Sequence, residues 1–171
     1  KRDILRRSSV GILFTGRSVS RSGAGSNEVY GFDALFGFYD NLRINTYWAR
    51  SQTPGLRDDD VSYRAQLDYG GDRYGVQLER SVVGNNFNPE VGFYQRRGHR
   101  RLNATVFTFF RPENFLGLHE LRPHVMHYTV WNFASGRHES QFTHIDNHWE
   151  WLSGHEVHTG VNLVKEGLFQ P

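Results

Sequence analysis

The stretch from Val61 to Arg80, VSYRAQLDYGGDRYGVQLER, alternates apolar and polar side chains on both sides of a Gly-Gly-Asp turn. Successive side chains of a β-strand point to opposite faces, so this pattern predicts a hairpin with one apolar and one polar face. A two-residue loop at 71–72, with glycine first as a type II′ turn requires, places Leu67 opposite Val76. The two faces of this hairpin must therefore meet different surroundings.

Two architectures offer such surroundings. In a soluble sandwich the apolar face is the core, whereas in a membrane barrel the apolar face meets lipid and the polar face lines a wet lumen. Aromatic residues make up 15% of the 171-residue chain and charged residues 22%. Barrels combine aromatic girdles with a polar interior, so this composition favours a barrel. A soluble domain with a large aromatic core is the alternative.

Composition also argues against several classes of protein. A net charge of +2, without a basic run interleaved with aromatics, argues against nucleic-acid binding. The chain has no cysteine, and therefore no disulfide framework or thiolate metal site. Its longest apolar runs, such as GILF and VFTFF, are far shorter than the roughly 20 residues of a transmembrane helix. Any membrane span must then be a closed barrel of strands.

A second hairpin of the same design is predicted over 30–48. With a three-residue turn at 39–41, Phe38 faces Leu42 and Phe36 faces Ile44. No segment shows a helical period.

Further strands are expected along the rest of the chain, separated by long polar connections such as RSVSRSGAGSNE and PENFLGLHELRP. Long connections at one end and tight turns at the other are typical of outer-membrane barrels. The sequence thus predicts an all-β fold, an antiparallel up-and-down meander of about ten strands that is part of an outer-membrane-type β-barrel. The remaining strands are expected near 9–17, 90–97, 101–110, 124–133, 139–152 and 156–166.

The alternation divides the side chains of both hairpins into two sets. Polar rings set the selectivity of pores, so the polar set is the candidate lumen wall. The apolar set is expected to face lipid or its interface. The predicted lumen-lining residues are Arg43, Arg64, Gln66, Asp68, Gln77 and Glu79, and the predicted lipid-facing ones are Phe36, Phe38, Leu67, Tyr69, Tyr74 and Val76.

A histidine-rich row near the end of the chain is a candidate metal site. His144, Asp146 and His148 alternate along one predicted strand and therefore share a face. Two imidazoles and a carboxylate suit zinc or another divalent metal. Residues two apart on a strand are about 6.5 to 7 Å apart, so a neighbouring strand would have to contribute, and a turn at 153–155 would bring Glu150 opposite His158. A plain polar lumen wall is the simpler interpretation.

No catalytic residues are predicted. The Gly-flanked serine stretch RSGAGSNE has no strand-turn-helix nucleophile elbow, and no carboxylate pair for glycoside cleavage can be picked out. Apart from the candidate divalent metal, no cofactor is expected. A metal-dependent enzyme built on the histidine row is the third functional hypothesis.

Several sequence elements resemble a known family. NNFNPEVGFYQRRGHRR is the most specific of them, and KRDILRRSSVGILFTGR, NEVYGFDALFGFYDNL and KEGLFQP are also similar. Together they resemble the Gram-negative outer-membrane barrel domain of unknown function that usually follows a family-nine-type carbohydrate-binding module. The resemblance spans nearly the whole chain. In FNPEVGF, Pro89 restricts the preceding residue to extended geometry, which predicts a structural role at a loop-to-strand transition.

The resemblance implies that residues 1–171 are a single barrel segment, an internal part of a longer barrel that a carbohydrate-binding module precedes. It implies a bacterial outer-membrane location, contact with the lipid bilayer and a link to carbohydrate binding or uptake. A pore, transporter or surface scaffold is therefore the leading functional hypothesis. A soluble, secreted antiparallel β domain that binds carbohydrate is the alternative.

Overall fold

In the computed structural model, which describes residues 1–168, ten β-strands follow one another along the chain. No helix in this range is long and apolar enough to cross a membrane. Residues 169–171, the end of the KEGLFQP element, lie outside the described range. The strands are β1 (Arg2–Ile4), β2 (Ser8–Arg17), β3 (Asn27–Phe38), β4 (Leu42–Gln52), β5 (Val61–Gly70), β6 (Tyr74–Val83), β7 (His99–Thr108), β8 (Leu118–Asn132), β9 (His138–Trp151) and β10 (Glu156–Glu166).

All ten strands belong to one sheet, in chain order, and every neighbouring pair is antiparallel. This confirms the predicted all-β, up-and-down meander of about ten strands. Within residues 1–168, β1 and β10 do not pair with each other, so the sheet has two free edges and is not a closed barrel.

The connections differ in length between the two ends of the sheet. The turns are mostly short at the end of the sheet where β3 leads into β4. We call this end the short-turn end. At the opposite end, the long-loop end, most connections are longer, as the polar linkers predicted. The short-turn end holds 5–7, 39–41, 71–73, 109–117 and 152–155, and the long-loop end holds 18–26, 53–60, 84–98 and 133–137.

The hairpin of β3 and β4 has the predicted register. Phe38 pairs with Leu42 and Phe36 with Ile44 across a three-residue turn at 39–41. Tyr39 takes the positive φ of 55° that closes this turn.

The hairpin of β5 and β6 differs from its predicted register by two residues. Leu67 pairs with Leu78 instead of Val76, so the turn lies further along the chain than predicted. A hydrogen bond from the Gly71 N–H to the Tyr74 carbonyl, at 2.8 Å, closes this turn. A displacement of two residues leaves every side chain on its predicted face, because the period of a strand is two.

Three of the predictions about the strands were wrong. Residues 90–97 form no strand but belong to the loop 84–98, while Arg2–Ile4 adds an edge strand. The predicted connection from Pro112 to Pro123 is also too long, since β8 already begins at Leu118.

The loop 84–98 folds back onto the sheet instead of extending it. Phe87 is 7% exposed and packs with Val29, Ala49 and Val83 in a small buried core. All four positions lie near the long-loop end. The FNPEVGF element therefore supplies the residue that covers this part of the sheet.

A buried amide holds the first half of this loop. Asn27 is fully buried, and its side-chain N–H groups donate to the Asn88 carbonyl at 2.9 Å and to the Thr53 hydroxyl at 2.7 Å. The Asn88 N–H in turn donates to Ser51 Oγ at 2.8 Å. The backbone of Asn88, before Pro89, is thus fixed by two hydrogen bonds, so the Asn-Pro-Glu sequence holds a loop in place, but the predicted transition into a strand is wrong because no strand follows it.

Glu90 holds the second half of the loop. Its side chain is 3% exposed and accepts hydrogen bonds from the Ser20 hydroxyl at 2.6 Å and the Arg21 N–H at 2.8 Å. The Ser20 bond, with the help of the Arg21 N–H and the Arg17 charge, lowers the pKa of Glu90 below its ordinary value of 4.5, although burial opposes this change.

The register of β5 and β6 can be tested by engineered disulfides, because the chain has no native cysteine. Gln66 pairs with Glu79, whereas the turn-based prediction paired Gln66 with Gln77. We expect the Gln66→Cys/Glu79→Cys pair to oxidise readily, since directly opposite residues meet the Cα spacing of a disulfide. The Gln66→Cys/Gln77→Cys control should stay reduced under the same mild oxidant, as measured by thiol titration. The reverse result would contradict the register described above.

The anchoring role of Glu90 predicts a pH-dependent stability. Its pKa is lower in the folded protein, so its stabilising contribution is present above about pH 4.5 and is lost as the pH falls through the lowered pKa. We expect Glu90→Gln to lower the melting temperature at pH 7 and the difference from the wild type to shrink below pH 4.5. Glu113→Gln, in an exposed turn, is the matched control. A difference that is independent of pH would rule out the carboxylate as its source.

Candidate functional site

The six residues predicted to line a lumen all lie on one face of the sheet. The pairings of β4 with β5 and of β5 with β6 align Arg43 with Asp68, Asp68 with Gln77, and Gln66 with Glu79. We call this side the polar face. Its members on β4 to β6 are Arg43, Arg64, Gln66, Asp68, Gln77 and Glu79.

These polar side chains form two groups on β5 and β6. Asp68 accepts hydrogen bonds from the side-chain amides of Gln66 at 3.0 Å and Gln77 at 2.8 Å. Arg64 lies 3.8 Å from the Glu79 carboxylate. Amide and guanidinium groups thus satisfy the carboxylates of these two strands, which fixes the polar residues in place without a second layer of protein over them.

The polar face continues onto β7 and β8. Arg101 aligns with Ser81 on β6 and with Val130 on β8. Its guanidinium lies 4.8 Å from the ring centroid of Tyr128. The loop 84–98 lies over the same side, since Tyr94 and Arg96 line a cavity together with Arg64, Glu79 and Arg101.

The opposite side of the sheet, the apolar face, carries exposed hydrophobic side chains from β2 across to β10, although Val82 on the same face is buried. Ile12 is 89% exposed and Phe14 67%. No second layer covers this face within residues 1–168, since all ten strands belong to a single sheet. The predicted lipid-facing residues Phe36, Phe38, Leu67, Tyr69, Tyr74 and Val76 lie on it, together with the exposed Phe32, Tyr63, Leu78, Leu102, Val106, Val125, Ile145, Val157, Val161 and Leu163.

The total surface confirms a single-layer structure. Its solvent-accessible area is 11603 Å² for a mass of 19.9 kDa. A compact monomer of this mass would expose roughly 8,700 Å². The excess is the surface that a second layer, a membrane or a partner would cover.

The apolar face has aromatic residues at both ends and mainly aliphatic residues between them. On β3 the band runs from Tyr30 to Phe38, about 27 Å along the strand at ~3.4 Å per residue. Phe32 stacks on Trp48 with a centroid distance of 5.8 Å. The aromatic residues towards the long-loop end are Tyr30, Trp48, Tyr63 and Trp131, and those towards the short-turn end are Phe38, Tyr69, Tyr74 and Trp149.

This apolar band crosses the sheet obliquely. On β2 it is centred on Ile12, which pairs with Phe32 of β3. On β9 it begins at Ile145, which lies in the same cross-strand row as Phe38, and extends to Trp151. The centre of the band therefore moves towards the short-turn end by roughly one residue per strand between β2 and β9.

The candidate metal site lies on the polar face where β8, β9 and β10 are adjacent. His124 of β8 pairs with Asp146 of β9, which brings it beside His148. One ligand atom from each of these three residues lies within 4.8 Å of the other two. His148 Nε2 is 3.4 Å from Asp146 Oδ2, and His144 Nε2 is 3.6 Å from the same oxygen. Asp146 thus lies at the centre of three imidazoles.

Asp146 is buried and incompletely hydrogen-bonded. It is 8% exposed, and its Oδ1 has no hydrogen-bond partner among the described residues. Gly160 of β10 pairs with Asp146 and leaves space beside the carboxylate, since a Cβ at that position would lie 3.2 Å from Oδ1.

The predicted ligand set is therefore altered in one member. Asp146 and His148 belong to the group, but its third member is His124, while His144 lies on the outer side of the same carboxylate. His124 was missed because it lies on a different strand, and only the β8–β9 register brings it to Asp146. Met126 lies two residues from His124 on β8, on the same face of the sheet. It gives no indication from the sequence that His124 pairs with Asp146.

The predicted pairing of Glu150 with His158 is wrong. The register of the β9–β10 hairpin differs by two residues from the predicted one, so Glu150 pairs with Glu156 and His148 with His158. The shift creates a second group, in which ligand atoms of His148, Glu156 and His158 lie within 4.8 Å of one another.

No family model matches the chain, and comparisons with curated proteins and with solved structures also give no match. The resemblance to the outer-membrane barrel family therefore stays a prediction. Function is inferred below from the geometry of the two faces.

Proposed function

We propose that this chain is a segment of a bacterial outer-membrane β-barrel, in which the apolar face contacts lipid and the polar face lines an aqueous lumen. The barrel would work as a pore, a transporter or a surface scaffold for an attached carbohydrate-binding module. The exposed, aromatic-bordered apolar face is the observation that carries this proposal.

Lipid is the cover that best fits this face. Monomeric soluble proteins rarely expose apolar patches larger than a few hundred Å², whereas this face extends across at least eight neighbouring strands. A protein partner that covered this face would have to present a second sheet of equal width. The band on β3, about 27 Å along the strand, becomes roughly 21 Å when tilted by ~40°, close to the ~25 Å apolar height of outer-membrane barrels.

The obliqueness of the band supports a tilted arrangement of strands. With ~4.8 Å between strands and ~3.4 Å per residue, a 40° tilt requires a stagger of roughly 1.2 residues per strand. The apolar band moves by about that amount between β2 and β9. Soluble barrels also have tilted strands, so the drift supports a barrel, and the exposure of the apolar side chains supports lipid as their surroundings.

In the proposed barrel, the free edges of β1 and β10 would pair with further strands, since an open edge is not stable in lipid. The loop 84–98 would then fold into the lumen and narrow it near the long-loop end. Its Tyr94 and Arg96 approach Arg64 and Glu79, so the narrowest part would be lined by charges of both signs.

The membrane location can be tested by fractionation of the full-length protein, followed by gel mobility in detergent with and without boiling. Recovery in the outer membrane with a mobility shift on boiling is the expected result. Recovery as a soluble species without a shift would overturn the proposal and favour a secreted carbohydrate-binding domain whose apolar face is covered by another domain.

Matched arginine substitutions on the two faces provide a second test. Leu67→Arg would put a charge on the lipid face, at a cost of about 2–4 kcal/mol near the bilayer midplane, so we expect little folded protein in the membrane. Gln66→Arg puts its charge on the polar face, beside Asp68 and opposite Glu79. Both carboxylates could form an ion pair with the new guanidinium. We expect this variant to assemble like the wild type.

The readout is the amount of heat-modifiable protein in the outer-membrane fraction. Equal assembly of both variants would contradict the lipid-facing assignment of Leu67. Loss of folding of Leu67→Arg in water, without any dependence on detergent or membrane, would indicate a soluble core instead.

A further inference from the structure

We propose that His124, Asp146 and His148 bind a divalent transition-metal ion of the zinc type, with His144 as the fourth ligand. The four side chains lie on the polar face of β8 and β9. This inference does not depend on the membrane location, because the polar face is accessible to water in either setting.

The distances between the ligand atoms fit a small tetrahedral ion. Zinc binds nitrogen and oxygen at about 2.0 Å, so two ligand atoms on one ion are about 3.3 Å apart. Asp146 Oδ2 lies 3.4 Å from His148 Nε2 and 3.6 Å from His144 Nε2. The ring centroid of His124 is 5.2 Å from those of both His144 and His148. The ligand atoms of His124, Asp146 and His148 already lie within 4.8 Å of one another, and a movement of the His144 side chain would add the fourth.

The state of Asp146 provides independent support for a bound cation. Its side chain is more than nine-tenths buried, and its Oδ1 has no hydrogen-bond partner. A buried carboxylate without a full set of partners is costly. Arginine and lysine, which compensate the other carboxylates of the polar face, do not reach Asp146 among the described ion pairs, which join it only to imidazoles. A divalent cation would supply the missing charge.

The second nitrogen of two of the three imidazoles is already oriented by an oxygen. His124 Nδ1 lies 3.3 Å from the Arg122 carbonyl, and His144 Nδ1 lies 2.6 Å from Asn162 Oδ1. His148 Nδ1 lies 3.4 Å from Glu156 Oε1, close enough for an ion pair but without a hydrogen bond. Metal-binding histidines almost always have such a partner on the nitrogen that does not bind the metal. The Nε2 atoms of all three rings are thereby left for the ion.

The neighbouring group of His148, Glu156 and His158 is a weaker candidate. The Arg122 guanidinium donates a hydrogen bond to Glu156 at 3.1 Å and so already compensates its charge. Glu156 and His158 are also about half exposed, at 43% and 52%. We therefore assign Glu156 to the orientation of His148 and the metal to Asp146.

Zinc binding to the purified, folded full-length protein tests this proposal. Metal would first be removed with a chelator, and Zn²⁺ would then be titrated against a chromophoric chelator of known affinity. We expect one equivalent per chain, with affinity at least tenfold lower in Asp146→Asn and His148→Ala. The loss in His144→Ala should be smaller, because three ligands remain.

His119→Ala is the matched control, since His119 is an exposed histidine on the same strand as His124. It should bind zinc like the wild type. Absence of stoichiometric zinc in the wild type would overturn the proposal. Equal zinc affinity in His119→Ala and Asp146→Asn would also overturn it, because zinc would then be bound by scattered surface histidines.

Cobalt provides a structural readout and covers the risk that Asp146→Asn fails to fold. Co²⁺ in the site should give the intense visible absorption of tetrahedral coordination, weakened in His124→Gln, which leaves Asp146 in place. Zinc should also raise the melting temperature of the wild type, because the ion would link β8 to β9 in the folded state only. A weak, octahedral cobalt spectrum that is unchanged in His124→Gln would contradict the assigned ligand set.

Discussion

The antiparallel hydrogen-bond ladder is the constraint on which the rest of this structure depends. Because side chains of a strand alternate between faces, the ladder aligns each polar residue of one strand with polar residues of its neighbours. Across β5 and β6 this alignment gathers Asp68, Gln66 and Gln77 into one hydrogen-bonded group. The same alignment gathers aromatic and aliphatic side chains on the other face. A single sheet thus acquires two surfaces with opposite preferences for water.

A single sheet of this size cannot bury its own apolar face. Folding usually buries apolar side chains between two layers, but within residues 1–168 the buried cluster forms where Phe87 covers Val29, Ala49 and Val83 on the polar face. Most of the apolar face has no protein cover in the same range. The hydrophobic effect therefore favours a further cover for this face, and lipid is the one we propose.

The polar face combines rigidity with buried charge. Most of its carboxylates are met by arginine or amide groups, as Glu79 is by Arg64 and Asp68 by two glutamines. Asp146 is the exception, because imidazoles surround it and one of its oxygens has no partner. Buried polar groups in folded proteins are nearly always satisfied, so an incompletely satisfied carboxylate among histidines marks a site for a ligand and not a merely structural contact. The loop 84–98 lies on the same face and limits access to it from the long-loop end.

The sequence by itself determined most of the strands, their alternation and the membership of each face, because these depend on local period and turn residues. It predicted the β3–β4 register, where a three-residue turn leaves one alignment. Tertiary structure decided the remainder. The β5–β6 and β9–β10 registers differ by two residues from the predicted ones, since cross-strand contacts outweigh the preference of the turn residues. The fold of 84–98 and the meeting of His124 with Asp146 depend on contacts between distant segments, which no local pattern records.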